Sequence, residues 1–327
     1  MVGVRRRLIL GLKVSVSVGL LTYVLWSASQ RDGIDALGAR LEGLDPLYLV
    51  LAVLLHFAAV AGGVLRYRLL LRARGLSLPL GWLSRSYLIG RFVGAFTPST
   101  MGLDLFRSVE VAQRTGKRAQ SAAAILSEKL FGLLGLSILT LALLPAGTAD
   151  MLGPTAGPMA LLVLACASIG LVALRHPRAF APALRLAPKR IQSRASALLE
   201  AVAEGGLSAG NVGRALALSL ASHLATASVF AATGLALGVD ASPATLLVVG
   251  NAIVIATLLP ISIGGVGVRE GVAVVLLGMV AVGPTDASLV ALLGYLTGQM
   301  PALVGGMLQI SRSSGAPSSV AAAPAGI

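Results

Sequence analysis

Six stretches of this chain approach or exceed the length a helix needs to cross roughly 30 Å of hydrocarbon, and they carry almost no charge. They are Leu8–Trp26, Pro46–Leu65, Leu130–Pro145, Pro158–Leu174, Ala215–Val239 and Ala287–Ile310. Composition points the same way: 56% of the 327 residues are hydrophobic and 12% are charged, where soluble domains carry about a quarter charged residues. The bilayer is the solvent such a chain requires. The expected fold is therefore an all-α polytopic membrane protein with these six stretches as full transmembrane helices. Arg5, Arg6 and Arg7 before the first stretch imitate a signal peptide, but that stretch is too long and contains Lys13, so a retained span is expected.

Charge placement supplies the topology. A net charge of +13 invites a nucleic-acid reading, but the basic residues alternate with the spans and lack stacking aromatics, so no nucleic-acid partner is expected. With the N-terminus in the cytoplasm, the positive-inside rule holds at every boundary. Asp32, Asp35, Glu42 and Asp45 mark an external loop, while Arg66, Arg68, Arg72, Arg74 and Arg85, and then Arg114, Lys117 and Arg118, mark the inside. The turn Ala146–Gly157 is external and the basic loop Arg175–Gly210 cytoplasmic. Asp240 and Asp286 lie outside, and Arg312 returns the C-terminus to the cytoplasm. The expected location is the cytoplasmic (inner) membrane. Within the basic loop, Pro188–Glu204 sets Ile191, Ala195, Leu198, Leu199 and Val202 at helical spacing behind Lys189, Arg190 and Arg194. That pattern suits a helix lying on anionic lipid headgroups, the alternative being a helix packed on the spans. The lone Cys166 reads as a small apolar residue inside a span.

Two apolar segments do not fit as full spans. Ser86–Thr97 lies between basic boundaries and must enter and leave on the cytoplasmic side, while Pro243–Leu259 and Val268–Val282 lie between the external Asp240 and Asp286 and flank Pro260 and a glycine cluster. Both read as re-entrant broken-helix hairpins, tolerable at membrane depth only where protein or a wet cavity satisfies the freed backbone. Aligned on Pro98 and Pro260, each hairpin has a glycine four residues on (Gly102, Gly264) and an arginine nine residues on (Arg107, Arg269). The chain thus divides into two inverted-topology repeats. Residues 1–145 form the first, with hairpin 82–117. Residues 146–310 form the second, with the cytoplasmic loop 175–210 and hairpin 243–283. A disordered tail, 311–327, follows. Such repeats are the arrangement of many secondary transporters, whose site lies where the broken helices meet. The segment Asp104–Lys117 is too polar for lipid and must line a wet cavity or lie along the interface.

The motif Thr97-Pro98-Ser99 through Gly102, Asp104 and Arg107, the run Ser127-Glu128-Lys129-Leu130, Arg66-Tyr67-Arg68-Leu69-Leu70-Leu71 and the stretch Leu259 to Glu270 carry a resemblance. Through them the chain resembles the integral membrane region of bacterial lysylphosphatidylglycerol synthases and its stand-alone flippase-like relatives, over nearly its whole length. Met101-Gly102 stands where relatives usually show paired glycines, and Glu128-Lys129 where an Asp-Arg pair is usual. The resemblance implies translocation of a phospholipid, hopanoid or polyprenyl-linked lipid.

Arg107 and Arg269 are the leading candidates for a headgroup phosphate, because a guanidinium holds phosphate bidentately and an intramembrane arginine is costly. The alternative is an anchor snorkelling to the interface. Glu270 is a neutralising partner for Arg269, a proton-coupling carboxyl or a solvated hairpin residue. Gly264, Gly265 and Gly267 suit either an anion-binding nest or a plain turn. Ser99, Thr100 and Ser262 are candidate donors, with self-satisfaction of the backbone as the alternative. Asp104, Glu128 and Lys129 complete the candidate substrate-binding set, Glu128 and Lys129 otherwise reading as an interfacial ion pair. Pro98, Gly102, Pro260, Gly264, Gly265 and Gly267 are the expected hairpin breaks. His56, His223 and Arg91 stand in spans or hairpins as packed or functional polar groups.

The sequence holds no DxD, HEXXH or cysteine cluster, so no catalytic residue, metal or cofactor is expected and a membrane-embedded transferase is disfavoured. A lipid transporter is the leading class. The competing class is a non-transporting accessory subunit, whose partner, a lipid-synthesis enzyme or a second copy of this chain, would use the small face Gly294, Gly298, Gly305 and Gly306.

Overall fold

The structure, a computed structural model, describes residues 38–95, 101–146, 153–154, 156–176, 208–258 and 265–314, with a few positions between 192 and 202. Among them the chain is helical, with no strand. The elements are α1 (Pro46–Arg72), α2 (Leu80–Ala95), α3 (Met101–Thr115), α4 (Arg118–Leu143), α5 (Ala156–Arg175), α6 (Ala209–Ala236), α7 (Pro243–Leu258), α8 (Val268–Gly278) and α9 (Pro284–Ser314). Local chemistry sets their ends. Asp45 caps α1 by accepting from the Leu47 N–H at 2.8 Å, with Pro46 in the first turn. Ser208 caps α6 by accepting from the Asn211 N–H at 3.3 Å.

Four helices, α1, α4, α6 and α9, are long and apolar enough to cross a membrane, and α5 is a shorter apolar helix. Leu8–Trp26 lies outside the described residues, as do most of the basic loop and the tail. The span expected at Leu130–Pro145 begins earlier, at Arg118, because Ser121, Ala123 and Ala124 are buried and continue the helix. This places Glu128 and Lys129 well inside a helix and not at its start. The two hairpins appear as paired short helices. At 16 and 15 residues, α2 and α3 reach only about 24 and 22 Å, and α7 and α8, at 16 and 11 residues, only about 24 and 16 Å. None alone spans hydrocarbon. The hairpin tips themselves, with Pro98, Ser99, Thr100, Pro260, Ser262 and Gly264, lie outside the described residues.

The exterior is apolar, with Leu54 at 59%, Ile169 at 63% and Val275 at 65% exposed. In α3 this inversion resolves the polar-segment question. Its Leu105 and Val109 face out, while Asp104, Arg107 and Glu110 face in, so a helix too polar for lipid turns its charges into the protein. Two apolar cores hold the bundle, one around Tyr67, Leu70, Leu71 and Phe131, the other around Leu246, Ile253, Leu277 and Val290. Small residues let the helices approach closely. The face Gly294, Gly298, Gly305 and Gly306, expected to receive a partner helix, is filled by this chain itself. Cβ atoms on Gly294 and Gly306 would stand 2.6 Å from Phe230 and 2.9 Å from Phe92, one on Gly298 would meet His56, and one on Gly305 would overlap the Leu88 carbonyl. Helix α1 packs on α6; α2 packs on α9 and α7 on α4; α1 packs on α9 and α6 on α4. Ala201 and Val202 of the basic loop are buried together with Ala123 of α4, beside Ala119.

Candidate functional site

The polar interior forms two clusters. The first is a ladder of alternating charges contributed by α1, α3 and α4. Arg66 bonds the Ser219 hydroxyl of α6 at 2.7 Å and Glu128 at 3.2 Å. Glu128 also holds Arg107 at 3.0 Å, Arg107 holds Asp104 at 2.5 Å, and Asp104 holds Lys129 at 2.5 Å. The Arg107 guanidinium lies over the rings of Tyr67 and Tyr87, at 4.6 and 4.4 Å, contacts worth about 2 kcal/mol each when desolvated. Its side chain is 2% exposed, whereas that of Lys129 is 51% exposed. Beside the ladder, Arg74 donates to the Ser127 hydroxyl at 2.6 Å and the Leu70 carbonyl at 2.9 Å. The basic boundary residues Arg66 and Arg74 are thus interior groups as well as topology markers.

The second cluster surrounds the start of α8. The Arg269 guanidinium stacks on the Tyr295 ring at 3.8 Å. Its Nε donates to the Gly265 carbonyl at 3.3 Å and lies 3.6 Å from a Glu270 oxygen. The other Glu270 oxygen accepts from the Gly267 N–H at 2.6 Å, so Glu270 caps the helix first and neutralises Arg269 second. Gly265 and Gly267 adopt φ of +76° and +81°, a conformation that disfavours any side chain and turns the chain sharply into α8.

One turn of α9 gathers groups from the two hairpins. His56 of α1 donates from Nε2 to the Gly294 carbonyl at 3.0 Å, since a carbonyl only accepts. Arg91 of α2 donates to the Gly298 carbonyl at 3.2 Å, and Tyr295 between them carries Arg269 of α8. His223 of α6 sits against Gly132 of α4, as His56 sits against Gly294 of α9. Helix α7 docks on α4 through a buried bond from the Asn251 amide to the Thr140 hydroxyl at 3.0 Å.

Of the committed candidates, Asp104, Arg107, Glu128 and Lys129 come together, as do Gly265, Gly267, Arg269 and Glu270, in two separate places. Gly102 lies in the first turn of α3. Glu128 pairs with arginines and Lys129 with Asp104, so these neighbours do not pair with each other. Sequence reasoning does not single out Arg66 as a ligand, nor Tyr67, Tyr87, Tyr295 or Ser219; the readable signal for Arg66 is an arginine with apolar α1 residues on both sides. No group of three or more potential metal ligands occurs among the described residues.

Long apolar helices, an apolar exterior and charges confined to the interior define a multi-pass helical membrane protein. The chain belongs to the lysylphosphatidylglycerol synthase TM region family, whose model matches residues 8–305. No curated protein matches it.

Proposed function

We propose that this chain is a lipid translocase, carrying a phosphate-bearing lipid (phospholipid, hopanoid or polyprenyl-linked) across the cytoplasmic membrane by alternating access, with no chemical step of its own. Both termini face the cytoplasm, and residues 1–145 and 146–310 act as inverted repeats. Matched pairings support the repeat: α2 on α9 answers α7 on α4, and His56 at Gly294 answers His223 at Gly132. The observation that carries the transport reading is Arg269, 5% exposed at the start of a half-length helix and stacked on a full-length span. A buried cation at such a break offsets the cost of taking a headgroup phosphate through hydrocarbon while the tails stay in lipid. The ladder then holds the first hairpin against α1 and α4.

The test is translocation of fluorescent phosphatidylglycerol in proteoliposomes. Arg269→Ala should slow it by about tenfold to a hundredfold, the worth of a charge-assisted bond. Arg269→Lys should fall between, keeping the charge but losing the planar fork. A near-normal rate for the folded alanine variant contradicts the proposal.

A further inference from the structure

We propose that Arg91 is the first hairpin's phosphate ligand, forming with Arg269 a two-arginine anion site over the Gly294–Gly298 turn of α9. The inference deepens the translocation reading and rests on it for the source of the phosphate, a lipid headgroup.

Arg107 is saturated. Its two terminal nitrogens hold carboxylates and its faces carry two tyrosine rings, so a phosphate reaching it would have to displace the ladder. Arg91 differs in every respect. Its hydrogen bond is to a backbone carbonyl, Gly298 O, and no carboxylate among the described residues forms an ion pair with it. The hairpin tips, 96–100 and 259–264, contain no Asp or Glu in the sequence, so they bring it no counter-charge. A guanidinium has five N–H donors, and a single carbonyl leaves most of them to spend. Arg91 also keeps some exposure, so a ligand can reach it. Arg85, likewise held by a carbonyl, Leu308 O at 3.1 Å, lies at the open end of α2 among basic residues and faces no second arginine.

The second arginine comes from the other hairpin. Positions 295 and 298 are i,i+3 neighbours on α9, about 5–6 Å apart at Cβ, so the ring under Arg269 and the carbonyl under Arg91 adjoin. Formal charge asks for an anion: Arg91 and Arg269 contribute two positive charges, Glu270 one negative, and one positive remains. A phosphodiester carries one negative charge. Two arginines reaching it from elements of opposite halves form a site whose halves separate when either hairpin moves, as a carrier requires.

The test is native mass spectrometry of the full-length protein in detergent, titrated with phosphatidylglycerol, diacylglycerol or inorganic phosphate. Arg91→Gln should weaken phosphatidylglycerol retention by about tenfold, leave the weak diacylglycerol binding unchanged and leave the apparent melting point near wild type. Arg91→Lys should fall between. Equal phosphatidylglycerol retention by wild type and the glutamine variant overturns the site. If that variant does not fold, equal retention by Arg91→Lys overturns it instead. Arg91-dependent binding of inorganic phosphate with Arg91-independent binding of the lipid also overturns it, because the ligand is then the free ion. Proteoliposomes separate the two proposals. Arg91-dependent retention without wild-type translocation keeps the site and sinks transport, and translocation with Arg91-independent retention does the reverse.

Discussion

Replacing Glu128 by alanine removes the one carboxylate shared by Arg66 and Arg107, and the surroundings set the size of the loss. The Glu128 side chain is 5% exposed, with Arg107 at 2% and Arg66 at 11%, so neither guanidinium can turn to water. Breaking a buried pair by removing one partner costs about 3–5 kcal/mol, because an uncompensated charge stays behind. Two arginines lose their partner, but they share it and the losses do not add. Asp104 still holds Arg107 and Ser219 still holds Arg66, which keeps the expected cost within that range. Lys129 supplies the comparison: its pair with Asp104 is as short, yet its side chain is 51% exposed, and such pairs are worth about 0–1 kcal/mol. The assay is the apparent melting point of purified protein in detergent, read as a scan-dependent midpoint. Glu128→Ala should lower it by on the order of 10 °C, Glu128→Gln by less, and Lys129→Ala hardly at all. Equal shifts for Glu128→Ala and Lys129→Ala would refute the claim that burial makes the ladder a structural strut.

Asn251→Val should lower the same midpoint by the worth of a buried side-chain bond, about 1–3 kcal/mol, since it leaves Thr140 of α4 without the amide donor from α7. Gly305→Val should prevent recovery of monodisperse protein, its side chain colliding with the Leu88 backbone, whereas Gly271→Ala, with open space around its Cβ, should be neutral or slightly stabilising. Single cysteines placed in a Cys166→Ala background test orientation: Gly283→Cys should label from outside in intact cells, and Lys117→Cys only after disruption.

The helical spans and the two broken hairpins were legible because apolar length and Pro/Gly interruption are local properties of the chain. The hairpin helices α7 and α8, at Pro243–Leu258 and Val268–Gly278, fall within the segments read from sequence. Partners were not legible. Arg66 and Glu128 are 62 residues apart, and nothing in either neighbourhood says that one meets the other. Charge runs were read as topology, yet Arg74 also serves the interior by holding Ser127. The glycine face on α9 showed that something packs closely there, but small residues do not say whether a neighbouring helix of the same chain or another protein fills the groove. Arg91 and His56 were visible as polar residues in apolar surroundings; their convergence on one turn of α9 follows only from the fold.

Reconstitution of the wild-type chain alone decides the central claim most directly. Purified protein is placed in liposomes containing fluorescent phosphatidylglycerol, and the fraction of label reached by a membrane-impermeant quencher is followed over time. Translocation by the chain itself predicts that the quenched fraction rises beyond the outer-leaflet share, at a rate that grows with protein per vesicle and falls in Arg269→Ala. A quenched fraction that stays at the level of protein-free vesicles, with folded protein present in the membrane, would contradict it.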